Sequence, residues 1–193
     1  QSLSALDKNG HTLKVWDTAA HLIDSADGYL AAVSDPSIDG VYLKTTTGTA
    51  TVSPSTAATL FSIAGFTKNN PSGSSNTLIV QGTAANIETN YATLASHKSL
   101  VSGVAVSASA TVTDAAYGHL LALGATANSG VALTVRDTAA NIAANAPGQL
   151  SGSPSIAPSV WSLSASASVT AADAAILGGL TGFSAGSSKL TLS

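Results

Sequence analysis

Leu133-Thr134-Val135-Arg136-Asp137-Thr138-Ala139-Ala140-Asn141-Ile142 decides the fold, because the same phrase occurs twice before it. The earlier copies are Leu13-Lys14-Val15-Trp16-Asp17-Thr18-Ala19-Ala20-His21-Leu22 and Leu78-Ile79-Val80-Gln81-Gly82-Thr83-Ala84-Ala85-Asn86-Ile87. In each, apolar residues two apart give the period of a half-buried strand. At Asp-Thr the period changes. Both residue types cap helices, since the side-chain oxygen accepts a free N–H of the first turn. The phrase therefore encodes a strand-to-helix corner. The alanines after it let helix and sheet approach closely, and His21 stands where Asn86 and Asn141 stand, so it takes their part in the first helical turn.

Working outward, a second pair of elements follows each corner. Segments 38–44, 100–106 and 156–163 read as strands, with Gly40 marking a bulge. Val52, Val112 and Val169 then precede the caps Ser53, Thr113 (or Asp114) and Thr170, and Pro54 suits the first helical position, where a missing N–H costs nothing. Eight and eleven residues after those valines come Leu60, Leu120, Leu177 and Ile63, Leu123, Leu180, which fall on one helical face. The first helices are expected to run from Thr83 through Leu94 in the second repeat and from Asp137 or Thr138 to Asn145 in the third, with Pro147-Gly148 beyond the end. Ser107-Ala108-Ser109-Ala110-Thr111 and Ser164-Ala165-Ser166-Ala167-Ser168 read as thin strands or ordered loops, and 68–76 as a loop.

The repeating unit is thus β-α-β-α, at intervals of about 55 to 65 residues. Residues 1–11 read as the end of a preceding repeat, 12–76, 77–131 and 132–188 as three repeats, and 189–193 as the start of another. With no methionine at Gln1, an excised piece of a longer array is the expectation. The expected fold is α/β: a single prism-like repeat solenoid of about three units, with equivalent strands of successive repeats pairing in short parallel sheets and helices stacked along the array.

Composition narrows function. Charged residues are 9% of the chain, against roughly 25% in an ordinary globular protein, and only seven are Lys or Arg. No basic patch exists to neutralise phosphates, so nucleic acid is excluded as a partner, and no window is long and apolar enough for membrane insertion. Without cysteine there are no disulfides or thiolate metal sites.

Chemistry is sparse. No G-x-S-x-G elbow occurs, and Gly178, Gly179 and Gly182 lack the order of a dinucleotide loop. No catalytic residue, bound cofactor or metal ligand set is assigned, and the chain reads as non-enzymatic. Asp35 and Asp39, with Asp24 and Asp27 near in sequence, are the one acidic concentration. They offer hard oxygens to a weakly held calcium ion, against the plainer reading of a solvated turn. Trp16 sits at an outward-alternating position occupied by Gln81 and Arg136 in the other copies. With Tyr42 it could stack a sugar ring, against the plainer reading of a rim contact. His97 and His11, in loop-like or edge segments, offer nitrogens to a composite haem or zinc site, and of the two His97 joins Trp16 and Tyr42. These three are the candidate ligand-contacting residues.

The run Val135 to Ile142, with the downstream helix Val169 to Ala174, resembles repeats of very large bacterial surface or extracellular proteins of haemolysin-type, adhesin-like or S-layer-like kinds, commonly exported by type I secretion. The resemblance implies a secreted or cell-surface location and a stalk, spacer or adhesive role. It also implies neighbouring repeats of a longer parent chain as partners, with a surface glycan or another cell-surface protein beyond them. The alternative is a ligand-binding module for a glycan or a haem-like group.

Overall fold

The computed structural model describes residues 13–24 and 38–193. The tail expected over 1–11, His11, Asp27 and the turn at Asp35 lie outside them. The fold is α/β, with short parallel sheets and helices. The first repeat contributes β1 (Leu13–Asp17), α1 (Ala19–Ile23), β2 (Ile38–Leu43), β3 (Thr49–Val52), α2 (Pro54–Ser62) and β4 (Phe66–Thr67). The second gives β5 (Thr77–Gly82), α3 (Ala84–Thr89), α4 (Tyr91–Ser96), β6 (Gly103–Val106), β7 (Ala110–Val112), α5 (Asp114–Ala122) and β8 (Thr126–Ala127). The third gives β9 (Leu133–Asp137), α6 (Ala139–Gln149), β10 (Val160–Leu163), β11 (Ala167–Val169), α7 (Ala171–Gly179) and β12 (Phe183–Ser184), and β13 (Leu190–Leu192) follows.

Two compact units divide the chain: Gln1–Gln81 with Asn90–Val104, and Gly82–Thr89 with Ala105–Ser193. The division passes through the second repeat rather than between repeats.

Strand pairing differs from the expectation that sister strands pair with one another. In the second unit the order is β7-β9-β10-β12, so the first strand of a repeat lies between the thin strand of the repeat before it and the second strand of its own. The strand orders β3-β5-β6-β8 and β1-β2-β4 follow the same plan. The pairs are parallel, with Val160 opposite Thr134 and Val112 opposite Val135. The physical reason is the crossover: a short first helix brings the chain back beside the strand it left, so that strand's near edge is filled before a sister strand could reach it. Its other edge takes the thin strand. The Ser-Ala-Ser segments are accordingly thin strands, preceded by short connectors.

The two-residue strands β4, β8 and β12 were not expected. Each follows a glycine with positive φ, at Gly65 (71°), Gly124 (69°) and Gly182 (76°). At Gly182 a Cβ would lie 2.4 Å from the Ser159 carbonyl oxygen, so only glycine fits the turn.

Helix starts follow the sequence closely. Thr18, Ser53, Thr113, Thr138 and Thr170 accept the backbone N–H three residues on, and Thr83 accepts from Asn86. Thr113, not Asp114, is the cap of α5. Helix ends differ in two places. The helix expected from Thr83 breaks at Asn90 into α3 and α4. α6 runs through Pro147 to Gln149 instead of stopping at Asn145. Proline removes one N–H there, but the next turn is held by Leu150 N–H donating to Ala146 O (2.9 Å) and by the Gln149 side chain donating to Asp114 O (3.2 Å).

Each unit has its own core. In the first, Val41, Leu43, Leu60, Leu78 and Val80 are fully covered; in the second, Val106, Val135, Ile142, Trp161 and Leu177 are nearly so. The aligned leucines Leu60, Leu120 and Leu177 are all buried, each worth about 1.5–3 kcal/mol relative to exposure.

Candidate functional site

The outward face of β1 and β2 gathers aromatic and cationic side chains. Because side chains alternate along a strand, Lys14 and Trp16 share one face of β1, while Val41 and Leu43 of β2 turn into the core. Trp16 pairs in register with Tyr42, and Lys14 with Gly40. The Lys14 ammonium lies 5.5 Å from the Tyr42 ring centroid and the Lys44 ammonium 5.4 Å from that of Trp16. Two rings side by side are therefore flanked by two cations, and each cation–π contact at such an exposed site contributes about 0.5–1 kcal/mol. Trp16 is 48% exposed, one of the two large apolar side chains exposed among the described residues.

Gly40 makes this face possible. A Cβ there would stand 2.9 Å from Tyr42 Cε2, so the phenol ring lies over the bare glycine. The register shifts between Leu13 and Lys14, opposite Ile38 and Gly40, which leaves Asp39 as the extra residue of the bulge. Asp39 Oδ2 accepts the Leu13 N–H at 2.6 Å. Of the two carboxylates considered for calcium, Asp39 thus serves the bulge, and Asp35 lies outside the described residues.

Below this face sits the corner. Asp17 Oδ1 accepts the Thr18 N–H (2.7 Å) and contacts His21 Nδ1 (3.0 Å). Burial alone would raise the Asp17 carboxyl, but the Thr18 amide, the His21 side chain and the Lys44 charge outweigh it and hold it below 3.8. In the third repeat Asp137 Oδ1 accepts from Thr138 N–H (2.7 Å) and Asn141 Nδ2 (2.8 Å). His21 therefore does what Asn141 does, and the corner is structural.

The structure brings Trp16 and Tyr42 together and holds His97 elsewhere. The His97 ring stacks on Phe61 (5.1 Å between centroids), and its Nδ1 meets Thr93 O and Ser96 Oγ, both at 3.0 Å. His119 meets Glu88 of α3 at 2.9 Å, a cross-helix pair that sequence spacing does not show. Among the described residues no three His, Cys, Asp or Glu side chains converge.

Two clefts of the second unit are formed by described residues. One, of about 460 Å³, is lined by Gly118, Leu121, Gly148, Gln149, Pro154 and Ser155 among others, none of them an acid or base. The other, of about 290 Å³, lies on the outward face of the third sheet between Thr111, Arg136, Ser162 and the 185–188 turn. The first residue of α5 is a buried carboxylate, a burial that its position as a cap candidate does not suggest. Asp114 is 1% exposed; its Oδ2 accepts from Asn145 (2.6 Å), its N–H donates to Asp137 Oδ2 (3.0 Å), and its Oδ1 has no protein partner. Burial raises its pKa above 3.8, and the Asp137 charge adds to the rise. Tyr117, whose hydroxyl donates to Ile156 O (2.9 Å), is pushed up to about 12 by burial and by the Asp114 charge.

Comparison with known proteins gives no further lead: no family model, curated protein or solved structure matches the chain.

Proposed function

We propose that this chain is a structural and adhesive repeat segment of a large secreted or cell-surface bacterial protein, working as a spacer whose outward sheet faces meet partners. The observation that carries this reading is the division of labour within the repeat. Inward positions keep one character, as in Val41, Leu43, Val80, Val135 and Leu163, while the matching outward positions change freely among Trp16, Gln81 and Arg136. A scaffold that holds its core and varies its surface suits presentation rather than chemistry. The solenoid arrangement belongs to this proposal, since each thin strand and second helix is completed by the following repeat and stability should accumulate along such an array. The 68–76 loop is preorganised for contact, because Asn70 Oδ1 collects the Ser72 N–H (3.0 Å) and the Ser74 N–H (3.1 Å). The test is thermal unfolding of chains lengthened one repeat at a time. Rising Tm supports the array, and a flat series contradicts it.

A second reading, a glycan-binding module, is favoured by the Trp16–Tyr42 pair. Flat rings take the apolar face of a sugar, and Lys14 and Lys44 can donate to its hydroxyls or carboxylate. A glycan array separates the two: specific binding lost in Trp16→Ala supports the module, and silence leaves the spacer alone.

A further inference from the structure

The cleft of about 290 Å³ on the outward face of the third sheet holds the chain's single arginine. Alternation along β9 puts Val135 in the core and Arg136 outside, directly opposite Ser162 of β10. Thr111 of β7 stands opposite Thr134, the neighbour of Arg136 on that face. The turn 185–188 forms the remaining wall. It is preformed: Ser188 N–H donates to Ala185 O (3.0 Å), Gly186 N–H donates to Ser184 Oγ (3.2 Å), and Gly186 takes a φ of 60°.

The polar groups of this cleft are unspent. Among the described residues, the Arg136 guanidinium has no hydrogen-bond, ion-pair or ring partner, and the hydroxyls of Thr111, Ser162, Ser187 and Ser188 make no hydrogen bond. No lining residue is acidic. The carboxylate next in sequence, Asp137, alternates to the other face of β9, where its oxygens take the Thr138 N–H, Asn141 Nδ2 and the Asp114 N–H.

The place stays open when a further repeat follows. Its counterparts in the preceding sheet are Thr51, Gln81, Ala105 and the turn 128–131, and a complete repeat comes after them. Thr51, Ser129 and Gly130 are nevertheless exposed, and Gln81 and Ala105 are half-buried. Openness therefore belongs to the repeat, while the guanidinium and the Ser162 hydroxyl belong to the third copy.

We propose that this cleft binds a carboxylated sugar, a uronate ring, with Arg136 forking onto the carboxylate and the Thr111, Ser162 and Ser187 hydroxyls meeting the ring hydroxyls. A planar guanidinium matches a carboxylate with two parallel hydrogen bonds. Serine and threonine hydroxyls both donate and accept, as sugar hydroxyls do. Ligand pockets run from about 300 to 1,000 Å³, so this one has room for a single ring. The apolar lining side chains are Ala185 and Leu163, the latter only 3% exposed, so an aromatic or acyl ligand would find little surface to cover. The Trp16–Tyr42 face belongs to the first unit and this cleft to the second, and the inference needs neither function proposed above.

The test is an NMR titration of the whole chain, read at the amides of Arg136, Ser162 and the 185–188 turn. The probes are glucuronate, glucose and inorganic phosphate at equal ionic strength. Glucuronate should shift these amides saturably, with a Kd of about 1 mM or tighter. Glucose lacks the carboxylate and phosphate lacks the ring, and each should bind at least about tenfold more weakly. Gln81 and Ala105 hold these places in the second repeat, so Arg136→Gln and Ser162→Ala keep the fold. The first should weaken glucuronate binding at least about tenfold and the second about threefold. Arg136→Lys keeps the charge but loses the fork, and its loss should fall between the two. No saturable shift below about 10 mM, equal binding of glucose or phosphate, or binding that survives Arg136→Gln overturns the proposal. Shifts confined to the β1 and β2 amides would put the sugar on the Trp16 face, supporting that reading and overturning this one.

Discussion

The two tryptophans occupy the two faces of equivalent sheets. Trp161 lies at the inward position matching Val41, 1% exposed, its ring meeting Tyr117 edge-on at 5.7 Å. Trp16 lies outward, 48% exposed, opposite Tyr42. In the third sheet the place of the Trp16–Tyr42 pair is taken by Arg136 and Ser162, and the place of Gly40 by Val160. One residue type therefore does two jobs, and position within the repeat decides which. The inward face sets the fold; the outward face is free to specialise.

The largest expected effect breaks the inward side. Trp161→Ala should cost about 3–5 kcal/mol, while Trp16→Ala, which loses one exposed cation–π contact, should cost only about 1 kcal/mol, both read by denaturant unfolding. Equal losses would erase the distinction between the faces. Next in size is the turn before the smallest strands. Gly182→Ala meets both a positive φ and the Ser159 carbonyl, whereas Gly124→Ala meets a positive φ and open space. The first should cost about 1–3 kcal/mol and the second about 1 kcal/mol, seen as a larger fall in Tm for Gly182→Ala.

The buried carboxylate sharpens the comparison through pH. With its pKa raised in the fold, Asp114 contributes full stability below 3.8, and that contribution falls as pH rises through its folded pKa. Asp17 and Asp137 are held below 3.8, so their contribution is present above it and is lost as pH falls through their folded values. Stability should therefore decline on both sides of the mildly acidic range. Asp114→Asn should flatten the upper limb and leave the acid limb, as read from Tm against pH. The smallest effect restores the corner: Gly82→Asp should add about 0.5–1 kcal/mol by giving Thr83 N–H the acceptor that Asp17 and Asp137 supply elsewhere.

How legible was this from the residues? The corners and caps were, because they depend on local hydrogen bonds that Thr18, Ser53, Thr113, Thr138 and Thr170 announce in sequence. The leucine stripe of the second helices was also legible through its spacing. Strand order was not. Periodicity tells which face of a strand is buried but not which neighbour fills its edge, so the thin strand's place beside the next repeat's first strand had to be seen. The two-residue strands were hidden by length, although the Gly65-Phe66, Gly124-Ala125 and Gly182-Phe183 steps marked them. At the candidate site, the exposure of Trp16 followed from alternation. Its pairing with Tyr42 and the service of Gly40 depend on register, which the bulge at Asp39 sets. His97 looked available only because its stacking on Phe61 is a contact between distant segments.

The central claim is that the inward face holds the fold while the outward face of β1 and β2 is left free for contact and contributes little to stability, and the proposed glycan reading puts that freedom to its sharpest test. The most direct measurement is glycan-array binding of wild type and Trp16→Ala alongside the Tm of each. Specific binding by wild type that falls at least about tenfold in the variant, with Tm lowered by no more than about 4 °C, is the predicted result. Binding that survives the substitution, or a Tm that falls as far as it does in Trp161→Ala, would contradict the claim.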